Sequence, residues 1–253
     1  MKFCSLYSGS SGNSLFIQGN ETKILVDSGV SAKKITEGLD SINIDIKEIN
    51  AILVTHEHID HIRSLGTIAK KYNIPIYASL GTWNGIDNEK SVIKINEKNY
   101  FKIGEKFEIG ELKIMPFSTS HDAMDPCGFS IEHDERKISI ATDLGEITSE
   151  VISNLKQSKF VLLESNYEPE VLKLCSYPYS VKSRIASTKG HLSNKDAGNT
   201  ISKLIDYGLQ NVMLGHLSKE SNFPELAYKS VVNELMQNGI NIKDIELNVA
   251  DRL

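Results

Sequence analysis

The chain has 253 residues, 40% hydrophobic and 24% charged, and its 28 Lys+Arg against 33 Asp+Glu give a formal net charge of -5. That balance excludes disordered, collagenous and low-complexity classes, and a chain of this length buries a core without a disulfide or structural metal, so a bound metal would serve chemistry. An acidic chain has no global attraction to nucleic acid, so such a substrate would need a local basic patch or bound cations.

In chain order, Met1–Tyr7 lacks the apolar run and cleavage site of a signal peptide. Leu15–Ile17, a turn at Gly19-Asn20 and Lys23–Asp27 read as a β-hairpin, followed after Gly29 by a helical pattern. Ala51–Val54 is a short buried strand, His61 to Tyr72 an amphipathic helix, and Ile74–Ala78 the next strand. The middle is strand-rich, with runs at 107–109, 112–114, 128–131 and 138–140, and the pattern turns helical after Asp143. Phe160–Leu163 is a buried strand, followed by helix (194–207), strand (212–214), helix (224–237) and a last strand (242–249). Strands and helices interleave without a Pro/Gly-rich linker, which predicts one α/β domain over residues 1–253. No run approaches about 18 apolar residues, so no membrane span is expected. Cys4, Cys127 and Cys175 are too few and too widely spaced for a disulfide framework or thiolate metal knuckle, and a cytoplasmic chain is expected.

The strongest chemical signal is Thr55-His56-Glu57-His58-Ile59-Asp60-His61, directly after a strand. Three imidazoles and a carboxylate in six residues suit Zn²⁺, Mn²⁺ or Fe²⁺, with His56 and His58 pointing the same way and Asp60 and His61 free to serve a second ion. Two further histidines, His121 and His216, follow strand-like runs, and Asp143 precedes a helical pattern where it could equally cap a helix. His133 lies in a charged turn and receives no function.

This HxHxDH run, preceded by a strand ending in Asp27, resembles the metallo-β-lactamase superfamily. The resemblance implies an αββα sandwich with a dinuclear metal site at the sheet edges. It implies that His56, His58 and His121 bind one ion, that Asp60, His61 and His216 bind the other, that Asp143 bridges them, and that Asp27 hydrogen-bonds a ligand imidazole. A carboxylate bridge at Asp143 fits phosphodiester hydrolysis, in which hydroxide made between two cations attacks phosphorus, although thioester-hydrolysing relatives also keep it.

Lys189-Gly190-His191-Leu192-Ser193-Asn194 is similar to the histidine loop of the phosphodiesterase and nuclease branch, which implies His191 near the scissile phosphate and Glu164 orienting it. Ser193 is expected to cap the following helix, leaving His191 at the loop lip. A carboxylate bonded to an imidazole favours the imidazolium that can protonate a leaving oxygen. Tyr177, Pro178, Tyr179, Lys182, Arg184 and Lys189 combine aromatic and basic groups just before His191, suited to bases and phosphates or simply to a solvated helix face. The Gly-rich run Ser8–Ser14, with Ser11 and Asn13, could aim backbone N–H groups at a phosphate.

Within that branch the paired Gly-His-Leu-Ser tetrapeptides at 190–193 and 215–218, the Ser8–Ser14 run and Glu164-Ser165-Asn166-Tyr167 resemble the bacterial YycJ (WalJ/VicX) group. That resemblance implies a metal-dependent DNA exonuclease acting 5′ to 3′ with a link to DNA repair. DNA stands ahead of RNA as partner, and a homodimer is left open. The alternative is a small-molecule hydrolase of the same fold, a thioesterase or cyclic-phosphate diesterase, favoured by the acidic net charge.

Overall fold

The computed structural model describes residues 1–92 and 94–251. A strand that the sequence reading passed over, β1 (Lys2–Tyr7), pairs antiparallel with β2 (Ser14–Gln18), which turns at Gly19-Asn20 into β3 (Lys23–Val26). From there α1 (Ala32–Ser41), capped by the Ser31 side chain, crosses to β4 (Ala51–Leu53), parallel to β3. The chain continues through α2 (Ile59–Ile62), α3 (Leu65–Tyr72), β5 (Ile76–Ala78), α4 (Leu80–Asn88) and β6 (Asn99–Tyr100), completing a sheet in the order β1-β2-β3-β4-β5-β6.

A second sheet begins with an antiparallel meander, β7 (Phe107–Ile109), β8 (Leu112–Ser118), β9 (Cys127–His133) and β10 (Arg136–Ala141). It then becomes parallel through α5 (Ser149–Leu155), β11 (Phe160–Glu164), α6 (Pro169–Leu174), α7 (Tyr179–Ile185), α8 (Asn194–Ile205), β12 (Asn211–Gly215), α9 (Pro224–Gln237) and β13 (Glu246–Val249).

Period-two alternation along the strands fixes the layers. Ile24 and Val26 point between the sheets, with Leu112, Ile114, Phe129, Ile140 and Leu162, while Leu25 points out to Ile35, Leu39, Ile68 and Trp83. In the second sheet Leu162 faces in, and Val161 and Leu163 face out to Val151, Ile201, Leu204 and Val231. Because helices cover both outer faces, these strands are apolar on both sides, and the result is the αββα sandwich.

Three local readings need correction. The expected helix over 61–72 is broken at Arg63-Ser64, where Ser64 N–H donates to the Ser28 carbonyl (3.0 Å) and the two serine hydroxyls meet at 2.8 Å. Residues 242–244 form a 3₁₀ turn and the last strand starts only at Glu246. Helix α4 was not anticipated, since Gly81 and Gly85 lower its intrinsic propensity. Both glycines are needed: a Cβ at Gly81 would lie 2.4 Å from the Asp125 Cβ, and one at Gly85 2.3 Å from the Glu57 Cγ.

One edge of the sandwich is clamped by Glu111 in the β7–β8 turn. Its Oε1 accepts the backbone N–H groups of Asn20, Glu21 and Thr22 (2.8, 2.9 and 3.0 Å), and its Oε2 takes the Thr22 hydroxyl. The hydrogen bonds from the Thr22 hydroxyl and the backbone lower the carboxyl pKa to about 2.

Candidate metal centre

The chemistry-bearing residues collect where the parallel strands of both sheets end, outside their carboxyl edges, the usual ligand position in open α/β sheets. Asp27 follows β3, His56 and His58 follow β4, Asp143 follows β10, Glu164 ends β11 and His216 follows β12. Three of these turn in the left-handed region, Asp27 (φ 65°), Asp143 (φ 56°) and His216 (φ 55°). Non-glycine residues adopt that conformation at some energetic cost, and here it turns each side chain off its strand toward a common centre. Asp143 is not a helix cap: α5 starts six residues later with Thr148 as its N-cap.

Four sets of potential ligand atoms each lie within 4.8 Å of one another: His56, His58 and His121; Asp60, His61 and His216; His56, His61 and Asp143; and Asp143, Glu164, His191 and His216. Asp143 sits between the histidines, with Oδ2 3.4 Å from His61 Nε2 and Oδ1 3.8 Å from His121 Nε2 and 3.4 Å from His216 Nδ1. The structure thus brings the two groups of three and Asp143 together at one place.

Buried carboxylates aim the imidazoles. Asp27 accepts the Thr55 N–H at Oδ1 (2.9 Å), and at Oδ2 it meets both the Thr55 hydroxyl and His61 Nδ1 (2.8 Å each). Glu164, fully buried, bonds at Oε1 with both His216 Nδ1 (2.7 Å) and His191 Nδ1 (2.8 Å), while Oε2 accepts the N–H groups of Leu144 and Leu192 (3.0 and 3.1 Å). The sequence reading had Glu164 orienting His191 alone; the structure has it hold two histidines from two loops. His121 Nδ1 donates to the Gly190 carbonyl (3.0 Å), which turns its Nε2 to the centre. Ser193 caps α8 as expected, and His191 stands at the lip with its side chain 17% exposed.

The donors divide electrostatically. Burial, reinforced by the like charge of neighbouring histidines, pushes His56 well below its ordinary pKa, and burial also lowers His121. Burial alone would lower His61 too, but Asp143, Asp27 and Asp60 outweigh it and raise it to about 9. The same opposition, with Asp143, Asp60 and Glu164 prevailing over burial, raises His216 well above the ordinary value. Asp60, against its own burial, is drawn below the usual carboxylate range by His61 and His216, and Glu164, also against burial, by His191 and His216.

Three atoms in the centre, His56 Nε2, His216 Nε2 and Asp143 Oδ2, are buried and lack a hydrogen-bond partner. Buried polar atoms are seldom left so, and nitrogen and carboxylate donors converging this way fit a divalent cation.

The expected substrate contacts are more varied. Asn13 is buried and already engaged: its Oδ1 accepts the Gly9 N–H (2.9 Å), and its Nδ2 lies 3.1 Å from His61 Nε2. Arg184 reaches the rim, where its guanidinium grips both oxygens of Asp122 and borders a cleft of about 440 Å³ beside His58 and Asp60, with Glu57, Ile59 and Glu89 on the other walls. The Lys182 amine donates to the Lys173 carbonyl (2.7 Å), and Ser11 and Lys189 are exposed.

Sequence reasoning named Asn166 only as part of the Glu164–Tyr167 run and gave it no role. Its N–H donates to the Leu192 carbonyl (2.8 Å), its Nδ2 donates to the His216 carbonyl (2.7 Å), and its carbonyl accepts the Ser218 N–H (2.8 Å), so it ties the His191 and His216 loops together. The available signal was a run of polar residues directly after a buried strand.

A four-layer αββα sandwich with histidines and aspartates gathered at its strand ends defines the metallo-β-lactamase fold. The chain belongs to that superfamily: residues 22–216 match the family described as beta-lactamase superfamily domain. It is 37% identical over 243 residues to the exodeoxyribonuclease WalJ of Streptococcus pneumoniae serotype 2 (strain D39 / NCTC 7466), covering 95% of this chain and 90% of the relative. It is 35% identical over 242 residues to the exodeoxyribonuclease YycJ of Bacillus anthracis, covering 96% and 92%. Among solved structures, the metallo-beta-lactamase fold protein YhfI from Bacillus subtilis superposes with a TM-score of 0.72 at 16% identity, over 98% of this chain and 95% of that one. The fold together with the His/Asp groups indicates divalent-metal binding. Among the described residues no helix is long and apolar enough to cross a membrane.

Proposed function

We propose that this chain is a metal-dependent DNA exonuclease of the metallo-β-lactamase superfamily, working on two divalent ions, zinc, manganese or iron, in the 5′ to 3′ direction, and that residues 1–253 form one domain. The observation that carries the chemistry is the convergence of seven ligand-capable side chains whose His56 Nε2, His216 Nε2 and Asp143 Oδ2 are buried without a hydrogen-bond partner. The choice of DNA is supported by relatives named exodeoxyribonucleases that match nearly end to end.

His56, His58 and His121 would hold one ion, Asp60, His61 and His216 the other, with Asp143 shared. Bound there, divalent ions would lower the pKa of water toward neutrality and neutralise charge on the phosphoryl group. Asp27 and Glu164 keep His61 and His216 in the tautomer that leaves Nε2 for the metal. At the lip Glu164 also engages His191 Nδ1, so that Nε2 is the free nitrogen there, and in its imidazolium form His191 would donate the Nε2 proton to the departing oxygen. With both its oxygens engaged by protein donors, Glu164 is a positioning residue. Lys189 and Ser11 are the exposed groups left to meet phosphates, Lys182 is half-buried with its amine on the Lys173 carbonyl, and Arg184 would have to leave Asp122 to join them.

The test is to load the purified chain with Mn²⁺ or Zn²⁺ and follow DNA and RNA strands labelled at either end. Mononucleotides released progressively from one DNA end are expected, and Asp60→Ala should release none. Equal rates for variant and wild type would overturn the assignment.

A further inference from the structure

The segment between Glu164 and His191 holds a feature that the metal centre does not use. Helices α6 and α7 form a hairpin over a small core of its own, Tyr167, Leu172 and Ile185, with Tyr177 and Val181 packed against it. At its tip the four-residue turn 175–178 is flanked by Leu174 and Tyr179, 88% and 86% exposed, the two most exposed large apolar side chains among the described residues. Single exposed apolar residues are ordinary, but a pair bracketing one turn is a surface. The Lys182 amine, bound to the Lys173 carbonyl at the end of α6, holds the two helices together there and shares the Tyr179 face of α7 at i, i+3 spacing.

Charge selects the occupant. Between Glu164 and His191 the chain carries Lys173, Lys182, Arg184 and Lys189 against Glu168 and Glu170, a local +2 in a chain of net -5. Lysine is depleted in protein–protein interfaces, whereas exposed aromatics among lysines suit a single-stranded nucleic acid, whose bases stack while its phosphates meet the cations. The hairpin also leads to the centre. Arg184, in the last turn of α7 and about 7–8 Å along the helix from Tyr179, borders the cleft beside His58 and Asp60. Past the helix, the Thr188 carbonyl accepts the Ser120 hydroxyl (2.7 Å) and the Gly190 carbonyl meets His121.

We infer that the α6–α7 tip is a single-strand platform, on which Tyr179 stacks with a base and Leu174 extends the apolar surface, while Lys182 and Lys189 meet the phosphates of a strand leading to the metal centre. Tyr177, packed into the hairpin core, takes no part. The inference rests on the nucleic-acid reading above and adds single-stranded DNA as the form bound next to the centre.

The experiment measures binding of a fluorescent, phosphorothioate-linked 20-nucleotide oligodeoxythymidylate to the metal-loaded chain by anisotropy, so no cleavage is required. Wild type should bind with an affinity that falls steeply as salt is raised. Tyr179→Ala should weaken binding about ten-fold, Tyr179→Phe should retain it, and Leu174→Ser should weaken it by a smaller factor. Failure of wild type to bind, or Tyr179→Ala binding as wild type does, overturns the platform. A Leu174→Ser variant that loses self-association in sedimentation while binding the oligonucleotide normally also overturns it, since the tip would then be an interface between copies. Binding of the oligonucleotide without hydrolysis of ordinary DNA would sink the nuclease reading and leave the platform standing.

Discussion

The two halves of the metal centre are built from similar donors yet differ in their proton balance. Around His56 and His121, burial prevails and both imidazoles stay neutral, with nitrogen lone pairs available. Around His61 and His216, the carboxylates of Asp27, Asp60, Asp143 and Glu164 prevail, so without metal both imidazoles are cationic. A cation bound by His61 and His216 would therefore displace their protons, whereas His56 and His121 would have none to give up. Similar sets of donors thus differ in proton affinity because of the charge that surrounds them.

The most severe way to break this contrast is Asp60→Ala, which removes a carboxylate from the second half only. It should lower DNA hydrolysis by at least about 10³-fold while one metal per chain remains, measured by atomic absorption beside the nuclease rate. Next are the two aiming carboxylates. Asp27→Asn and Glu164→Gln should each weaken the second ion by roughly 10–100-fold in a chelator competition. Glu164→Gln should in addition slow diesters with poor leaving groups more than p-nitrophenyl diesters, because it also holds His191. If Asp27→Asn shows the same leaving-group effect, the division of labour between the two carboxylates is wrong.

The proton difference has its own pH signature. His61 is raised to about 9, so below that pH its proton opposes metal, and affinity for the second ion should fall about ten-fold per pH unit from 8 to 6 for this proton alone. The first ion should change much less over the same range, and calorimetric titrations at pH 6, 7 and 8 distinguish the two. Parallel pH slopes for both ions would refute the contrast.

The smallest effect lies at the Glu111 clamp. Its folded pKa of about 2 lies below the ordinary glutamate value, so its contribution is fully present above about pH 4.5 and is lost as pH falls through about 2. Glu111→Gln should lower the thermal midpoint by roughly 2–4 °C at pH 7, with the gap to wild type closing as the pH is brought down toward 2. Unchanged metal stoichiometry in that variant would confirm that the clamp acts on the sandwich and not on the centre.

The residues of the centre also differed, across both halves, in how plainly the sequence announced them. His56, His58, Asp60 and His61 stand within six residues, and that density alone indicates a metal site. His121, Asp143, His191 and His216 are scattered, each resembling an ordinary loop residue, and it was their order, matched to a family pattern, that assembled them. Most strands, β1 and β6 excepted, were legible because period-two alternation and continuous apolar runs register directly in the sequence. Helix α4 was not, because its glycines answer to Asp125 and Glu57 pressing on the helix from elsewhere in the chain. The break at Ser64 likewise answers to Ser28.

By itself the sequence determined the layered α/β class and the family and marked the candidate ligands, because hydrophobic period and ligand chemistry are local properties of the chain. Only the tertiary structure decided which side chains share a proton or an oxygen. It made Glu164 the support of two histidines, engaged Asn13 and Arg184 with neighbours, joined two loops through Asn166 and left Leu174 and Tyr179 bare. Those outcomes depend on distances between residues far apart in the chain, which packing sets.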